Sequence, residues 1–145
     1  MADQKDDRLK VQVWIYSRDS RGEVHVLLLK TISERGGFWQ PVTGGVEEGE
    51  SPDAAASREA VEETGLPFKG DPKALNYEFS FDGRWGKARE SVYAYELPKD
   101  AHEKLKPRID PTEHTAYRWL PASQADALLR FDSNKEGLRR LLGSV

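Results

Sequence analysis

The chain has 145 residues, of which 37% are hydrophobic and 32% charged, and this size and composition are typical of one folded domain with its own core. The net charge of −3 gives no electrostatic reason to expect tight binding to nucleic acid or to an anionic membrane. Cysteine is absent, which excludes disulfides and thiolate metal sites and fits a reducing compartment.

The sequence contains no recognisable membrane or export segment. No apolar run approaches the roughly 20 residues that a membrane span needs. The start, MADQKDDRLK, is charged and lacks the apolar stretch of a secretory signal. We therefore expect a cytoplasmic protein with a single domain over residues 1–145, a flexible tail at 1–8 and no membrane partner. The oligomeric state stays open, and a homodimer is one option.

The first half of the chain alternates apolar and polar residues with period two, which predicts β-strands. Residues 9–17, LKVQVWIYS, and 23–30, EVHVLLLK, flank the turn-like RDSRG and are predicted to form a hairpin. Residues 38–45, FWQPVTGG, also have strand composition. Pro41 confines them to an edge strand or a short element because proline has no N–H to donate to a neighbouring strand.

Residues 52–64 are predicted to form a helix. Ser51 suits the N-cap because its hydroxyl accepts a hydrogen bond from the first turn, and Pro52 suits the first helical position. Gly65 stands where a left-handed residue commonly ends a helix.

The second half predicts another hairpin and a C-terminal helix. Aromatic strands flank DGRWGK and should pair with each other, with Tyr77, Phe79 and Phe81 opposite Val92, Tyr93 and Tyr95. HTAYRWL is a further short strand. In the last segment, Ser133 stands three residues before Glu136, which predicts a capping box, and Leu138, Leu141 and Leu142 share one face. Strands interleaved with separated helices predict an α+β class or an α/β/α layered domain.

Residues 44–66, GGVEEGESPDAAASREAVEETGL, hold seven carboxylates beside a single arginine. On an ideal helix Glu59, Glu62 and Glu63 fall within an arc of roughly 100°. The opposite side carries Ala54, Ala60 and Val61, so we expect one face that packs and one that is anionic. A solvated charged face is one interpretation. The other is a bound divalent cation, Mg²⁺ or Mn²⁺, which would offset the repulsion between carboxylates one turn apart.

The same segment matches the box of the Nudix hydrolase family at every position: a glycine, five residues, Glu, seven residues, Arg-Glu, an apolar residue, any residue, Glu-Glu, any residue, Gly and an apolar residue. The matching residues are Gly44, Glu50, Arg58, Glu59, Ala60, Glu62, Glu63, Gly65 and Leu66. The weakest match is Ala60, because the family usually has a larger aliphatic residue at this position. The chain is identified as a member of this family, and the resemblance implies the Nudix fold, an α/β/α sandwich around a mixed β-sheet.

The resemblance also implies a hydrolase that cleaves a nucleoside diphosphate linked to another group, with divalent ions held by the box glutamates. By correspondence Glu59, Glu62 and Glu63 are the main metal ligands, helped by a backbone carbonyl at Thr43 or Gly44. A polyphosphate is strongly anionic, so an acidic pocket binds it only through cations, which stabilise the transition state and acidify a bound water.

The resemblance implies that Arg58 positions a metal ligand and does not bind the metal itself. It is expected to pair with Glu50 and to orient Glu59. The alternative is a plain surface ion pair. Glu47 and Glu48 are weaker ligand candidates because acids in loops are more often solvated.

A further acid from outside the box commonly completes such a site as a ligand or general base, and the candidate is Glu113. FWQPVTGGVEEGE, TEHTAYRWL and DSNKEGL are similar to the bacterial dihydroneopterin triphosphate pyrophosphatases, once described as dATP pyrophosphohydrolases, where the corresponding Glu serves the metals. His114 is either a substrate contact or a structural histidine. Glu90 and Glu96 are weaker candidates because acids on strands commonly face solvent.

Within this subgroup the resemblance implies a cut between the α and β phosphates that releases pyrophosphate from a (deoxy)nucleoside triphosphate or dihydroneopterin triphosphate. The candidate contacts to a heterocycle, through stacking or an amide hydrogen bond, are Phe38, Trp39, Gln40 and Phe131. Each could equally belong to the core. The candidate phosphate contacts are Arg35, Arg84, Lys87 and Arg89, although hairpin charges are commonly solvated.

Two other functions remain open from the sequence. Nudix RNA pyrophosphohydrolases perform the same chemistry on the 5′-triphosphate of RNA, and the pI of about 5.7 counts mildly against that reading without excluding a local basic groove. A Nudix-fold module that binds nucleotides without cleaving them is a third possibility. Such modules usually lose box glutamates, and none is lost here.

Overall fold

The structure is a computed structural model that describes residues 7–83 and 86–145. Its strands are β1 (Arg8–Arg18), β2 (Val24–Thr31), β3 (Trp39–Gln40), β4 (Val42–Gly45), β5 (Lys73–Gly83), β6 (Gly86–Glu96) and β7 (His114–Pro121). Its α-helices are α1 (Pro52–Thr64), α2 (Ala101–Lys104), α3 (Ala122–Ala125) and α4 (Asp132–Ser144). Among the helices of this described part, none has the length and hydropathy needed to span a membrane.

The strands form one seven-stranded mixed sheet with β1 at its centre. Along one edge β1 pairs in parallel with β6, which in turn pairs with β5. Along the other edge β1 pairs with two antiparallel strands, β4 near its start and β2 near its end. The sheet therefore divides at this edge of β1, and the loop that leads from β4 into α1 begins beside the division.

The period-two pattern of β1 gives the sheet two apolar faces. Val11, Val13 and Ile15 belong to one core cluster, which the small residues of α1 complete. Trp14 and Tyr16 belong to a second cluster on the opposite face, which leucines of α4 complete. Helices thus cover both faces, and the predicted α/β/α sandwich around a mixed sheet is confirmed.

The predicted first hairpin is present as β1 and β2, and Pro41 separates β3 from β4 as expected for a residue that cannot donate to the ladder. β1 begins at Arg8, which is the last residue of the predicted tail. Residues 1–6 of that tail lie outside the described residues.

Two predictions in the second half are wrong in detail. Phe79 pairs with Glu90 and Phe81 pairs with Ala88, because β5 and β6 keep one continuous register up to the pair Gly83 and Gly86. The partners predicted from the sequence lie further along β6. A register shift between Ala74 and Glu78 adds to the difference.

The C-terminal helix also differs from its prediction. It begins at Asp132, its N-cap is Phe131, and the structure shows no side-chain capping bond there, so the capping box predicted at Ser133 is absent. Leu138 and Leu141 are buried as predicted, whereas Leu142 is exposed.

Candidate metal centre

Helix α1 carries the box acids, and its ends are those that the sequence predicts. The hydroxyl of Ser51 accepts a hydrogen bond from the Ala54 N–H at 3.1 Å, and Pro52 occupies the first turn. Gly65 ends the helix with φ of 65°, where its N–H donates to the Val61 carbonyl at 2.8 Å. A residue with a β-carbon is disfavoured at this φ, which explains the glycine.

The face that α1 buries is not the one that the charge pattern predicts. Ala60 is buried as expected, but Ala54 is exposed and Val61 is 49% exposed. The buried stripe runs instead through Ala56, Ala60 and Glu63, which are spaced at i, i+4 and i+7. One of the acids therefore faces the sheet rather than the solvent, and the simple division into a packing face and an anionic face is wrong.

Gly44 explains how an acid fits against the sheet. A β-carbon at this position would lie 2.0 Å from Cδ and 2.2 Å from Oε2 of Glu59, so any side chain there would displace the glutamate. At the neighbouring Gly45 an added β-carbon would meet nothing within 4 Å. The first glycine of the box is thus required for the packing of Glu59 against β4, whereas the second has free space.

Glu63 is the most deeply buried of the box acids, with 7% of its surface exposed. Its buried Oε1 has no hydrogen-bond partner among the described residues, and His114 Nε2 is 3.9 Å away, beyond hydrogen-bond reach. Burial lowers the pKa of His114, which disfavours a compensating positive charge on its ring. Glu63 therefore lacks a cationic partner next to Oε1.

The two carboxyl groups Glu59 and Glu63 perturb each other. Burial first, and the neighbouring Glu59 carboxyl second, raise the pKa of Glu63 to about 9. Burial also raises the pKa of Glu59, against the opposing charge of Arg58. Ionising both groups in this environment requires a positive charge between or beside them.

Arg58 connects the acids on the outer side of the helix. Its Nε and Nη2 donate to the two oxygens of Glu50 at 2.9 and 3.0 Å, the paired geometry that the sequence predicts for these residues. Nη2 also donates to the Gly45 carbonyl at 2.8 Å, and Nη1 donates to Glu59 Oε2 at 3.2 Å. The guanidinium thus ties the β4 end, the loop and α1 together around Glu59, and its bond to Glu50 lowers the pKa of that carboxyl to about 2.

Glu62 differs from the other two helix acids. Its side chain is 58% exposed, and its Oε1 accepts from Arg58 Nη1 at 3.2 Å. Among the described residues, Glu59 and Glu63 line a shared cleft and Glu62 does not.

That cleft has a volume of about 990 Å³ and brings together most of the predicted ligands. Its lining includes Gly44, Glu59, Glu63 and Glu113, with Thr43 beside them. Glu113 is the residue just before β7, and it lines the cleft. Its backbone carbonyl accepts a hydrogen bond from the Ile32 N–H at 3.1 Å, which holds this part of the chain in place. Its side chain is partly exposed and lies 4.0 Å from Arg35 Nη1.

These residues fit a divalent cation. Seven acids of the described part of the chain line the cleft, among them Glu59, Glu63 and Glu113, and hard oxygen donors are the ligands that Mg²⁺ and Mn²⁺ prefer. The unpartnered oxygen of Glu63 and the mutual pKa perturbation of Glu59 and Glu63 both call for added positive charge.

A second cavity of about 920 Å³ adjoins the cleft, and we call it the aromatic chamber. It lies between the β5–β6 sheet face and the start of α4, and its walls include Tyr77, Phe79, Phe81 and Phe131. The cleft and the chamber share four lining residues, namely Lys10, Gln40, Thr43 and Phe81. A ligand can therefore occupy both at once.

The predicted heterocycle contacts fall into three groups. Gln40 lines both cavities, Phe38 lines the cleft, and Phe131 lines the chamber, with the two phenyl rings edge to face at 5.0 Å between centroids. Trp39 is not among the described residues that line the two cavities, and it packs against the second core cluster, so its assignment to the binding site stays a prediction. Arg84 lies outside the described residues.

The sequence analysis missed several residues of the chamber. Lys10 lines both cavities and lies 5.8 Å from the Phe81 ring centroid. Glu90 was expected to face solvent, yet it is 5% exposed and lines the chamber. The available signal was the alternation of β6, which puts Glu90 on the same face as Val92 and Ala94 of the second core cluster.

Comparison with known families decides the classification. The NUDIX domain family model matches residues 8–142, which is nearly the whole chain. The chain belongs to the Nudix family. It is a Nudix hydrolase, and the predicted pyrophosphohydrolase class and dependence on a divalent metal are confirmed at the level of the family.

Several relatives resemble this Nudix domain. The Dihydroneopterin triphosphate diphosphatase of Escherichia coli (strain K12) is 33% identical over 147 residues, covering 92% of this chain and 91% of that protein. The RNA pyrophosphohydrolase of Dinoroseobacter shibae is 32% identical over 108 residues, 64% of this chain and 66% of that protein. The solved E. coli dihydroneopterin triphosphate pyrophosphohydrolase superposes with a TM-score of 0.74 at 28% identity, covering 94% of this chain and 96% of that one.

A longer relative matches only in part. The Octanoyltransferase of Myxococcus xanthus is 38% identical over 124 residues, 81% of this Nudix domain, but the chain spans only 32% of that protein's length. The transferase name belongs to the longer protein and gives no activity to this chain.

Proposed function

We propose that this Nudix hydrolase uses Mg²⁺ to cleave a small triphosphate between its α and β phosphates, releasing pyrophosphate. The substrate is dihydroneopterin triphosphate or a (deoxy)nucleoside triphosphate. The observation that carries the proposal is the junction of two cavities, a carboxylate cleft with room for metal and phosphates and a chamber whose aromatic side chains can stack on a heterocycle. The cysteine-free sequence is compatible with a cytoplasmic site of action.

The ligands in this proposal are Glu59, Glu63 and Glu113, with the backbone of Gly44 beside them. Glu62 joins them only if its carboxylate leaves Arg58, to which it is bonded here. When bound, divalent ions would offset the phosphate charge and lower the pKa of a coordinated water.

The chain's own residues supply orientation and proton transfer. Arg58 is a positioning residue, because it holds Glu59 at 3.2 Å while being anchored by Glu50 and the Gly45 carbonyl. Glu113 stands at the open side of the cleft and is the residue that accepts a proton from the attacking water. Arg35 and Lys10 line the same cleft and provide the cationic contacts for the phosphate chain.

Replacing Glu113 by alanine tests the proton-transfer role. We expect kcat to fall by about 100-fold while KM changes little, because a general base acts mainly on the transition state. Steady-state kinetics at saturating Mg²⁺ give both constants. The control is Glu34→Ala, which removes an exposed acid from the adjacent 3-10 turn at Ser33–Arg35. A Glu113→Ala enzyme that keeps more than half of the wild-type kcat would move the role to another residue.

The alternative substrate is the 5′-triphosphate end of RNA, and it has some support. Two relatives are named RNA pyrophosphohydrolase, and Arg130 lies 5.1 Å from the Phe38 ring centroid beside the cleft, where it would be a cationic contact for the RNA backbone. The aromatic chamber favours the small molecules, because its aromatic side chains offer a stacking surface for a heterocycle directly beside the carboxylate cleft.

A substrate panel at two salt concentrations separates the two readings. We expect higher kcat/KM for dihydroneopterin triphosphate, dATP or GTP than for a short 5′-triphosphate RNA, and no gain from extending a nucleotide on its 3′ side. An RNA enzyme would instead prefer the RNA, and its affinity would fall with a log–log salt slope of roughly 0.7 per phosphate contact. That pattern would replace the small-molecule substrate and leave the metal centre unchanged.

A further inference from the structure

The aromatic chamber contains a buried carboxylate that the reaction does not use. Glu90 lies on β6 opposite Lys10 of β1 and Phe79 of β5, and it faces the chamber. Only 5% of its surface is exposed. Burying a carboxylate is costly unless hydrogen bonds or opposite charge compensate it, and the charge of Lys10 offsets the burial of Glu90 only in part.

The protein itself supplies one hydrogen bond to this carboxylate among the described residues. Gln12 Nε2 donates to Glu90 Oε2 at 2.9 Å, and Trp14 Nε1 donates to Gln12 Oε1 at 2.7 Å. An indole N–H can only donate, so Gln12 must present its oxygen to Trp14 and its NH₂ group to Glu90. Trp14 therefore donates to Gln12 and Gln12 donates to Glu90, so Glu90 is the final acceptor of this hydrogen-bond network.

Gly137 of α4 keeps this arrangement in place. A β-carbon there would lie 2.1 Å from Gln12 Oε1 and 2.7 Å from Trp14 Nε1. The helix thus approaches closely enough to close the back of the network without disturbing it. Oε1 of Glu90 accepts no hydrogen bond from residues 7–83 or 86–145, and Oε2 keeps its second lone pair, so both oxygens can accept from a ligand.

A second polar group of the chamber is also unsatisfied. Asn134, in the first turn of α4, is 4% exposed and lines the chamber, and its Oδ1 is buried without a partner in the described part of the chain. Its amide offers one acceptor and two donors. The same chamber has four aromatic residues among the described residues of its walls, so a flat ring placed there would stack on one of them while its polar edge meets Glu90 and Asn134.

We propose that Glu90 is the specificity-determining residue of the chamber and that it accepts the ring N–H and the exocyclic amino group of a 2-amino-4-oxopyrimidine ring. Guanine and pterins share this ring. A carboxylate offers acceptors only, and this edge presents two adjacent donors. Adenine and cytosine instead present a ring acceptor beside their amino group, which would face the carboxylate lone pairs. Asn134 donates from its side-chain NH₂ group to the 4-oxo group, because that oxygen only accepts.

This inference rests on the proposed hydrolysis of a small triphosphate, and its test isolates the exocyclic amino group. The wild-type enzyme is assayed with GTP and with ITP, which differ only in that amino group. We expect kcat/KM for GTP to exceed that for ITP by at least about 10-fold, the usual effect of a hydrogen bond to a charged group. In Glu90→Gln the GTP/ITP ratio should fall to within about threefold of unity, because the lost acceptor is the one that reads the amino group. Dihydroneopterin triphosphate should lose as much activity as GTP, and its wild-type kcat/KM relative to GTP tells which source of the ring is preferred.

A matched control and a binding measurement make the outcome unambiguous. Glu96→Gln makes the same change on the same strand at an exposed residue that pairs with Arg18, and it should leave the GTP/ITP ratio unchanged. Binding of GMP and IMP is measured in parallel and requires no turnover. If no triphosphate is hydrolysed, the proposed function fails, whereas a GMP preference lost in Glu90→Gln would still support base recognition. A GTP/ITP or GMP/IMP ratio near unity in the wild type, or one unchanged in Glu90→Gln, overturns the inference.

Discussion

Substituting Glu63 by glutamine should reduce kcat by at least about 100-fold while the fold survives. The side chain lies in the cleft with Glu59, and its buried Oε1 has no protein partner, so the neutral amide removes an anionic metal ligand without removing an internal ion pair. Steady-state kinetics across a Mg²⁺ titration separate weakened metal binding from a lower maximal rate. The control is Glu103→Gln on α2, an exposed acid outside the cleft.

The same variant should be more stable than the wild type in the absence of metal, increasingly so at high pH. The pKa of Glu63 is raised to about 9 in the folded protein, from 4.5 for an unperturbed glutamate, so its contribution favours folding below pH 4.5 and is lost as pH rises through 9. Thermal unfolding of the metal-free protein between pH 5 and pH 9 should therefore show a loss of stability that Glu63→Gln diminishes. Wild-type activity at saturating Mg²⁺ in this variant would contradict its assignment as a ligand.

Gly44→Ala should also abolish most of the activity, by about 100-fold or more, although it changes no charged group. The new β-carbon would lie 2.0 Å from Cδ of Glu59, so the glutamate must move by more than about 1 Å, a displacement that can cost 10²-fold when it misplaces a catalytic group. We expect a folded protein with weakened metal binding, measured by kinetics and by a Mg²⁺ or Mn²⁺ titration.

Gly45→Ala is the matched control for that substitution. It adds the same methyl group to the next residue of β4, where nothing lies within 4 Å. Its kcat should remain within about threefold of wild type, as for surface substitutions that touch no special feature. Equal losses in the two variants would show that glycine is needed in this strand for reasons other than the packing of Glu59.

The sequence predicts the parts of this fold that local chemistry controls. Alternation of apolar residues gives the β1–β2 hairpin, and Ser51, Pro52 and Gly65 give both ends of α1. The box spacing brings Gly44, Glu59 and Glu63 into one cleft through the helix and the strand before it. These features depend on residues close together in the chain, where propensity and capping act directly.

The predictions that failed depend on packing between distant segments. Charge alone suggests that Glu63 and Glu90 face water, but α1 packs the first against the sheet and α4 closes over the second. Helical periodicity does not predict which face of α1 is buried, because the buried face contains Glu63 whereas the apolar Val61 is exposed. The position of Trp39 outside the lining of both cavities also depends on how β3 packs against the second core cluster, which composition does not show.

The most direct test of the account is the identity of the products and their dependence on metal. The protein is incubated with dihydroneopterin triphosphate or GTP in Mg²⁺, and the phosphorus products are followed by ³¹P NMR with and without EDTA. The expected products are the nucleoside or pterin monophosphate together with pyrophosphate, formed only when divalent ions are present. Orthophosphate as the first product, or equal turnover in EDTA, would contradict this expectation.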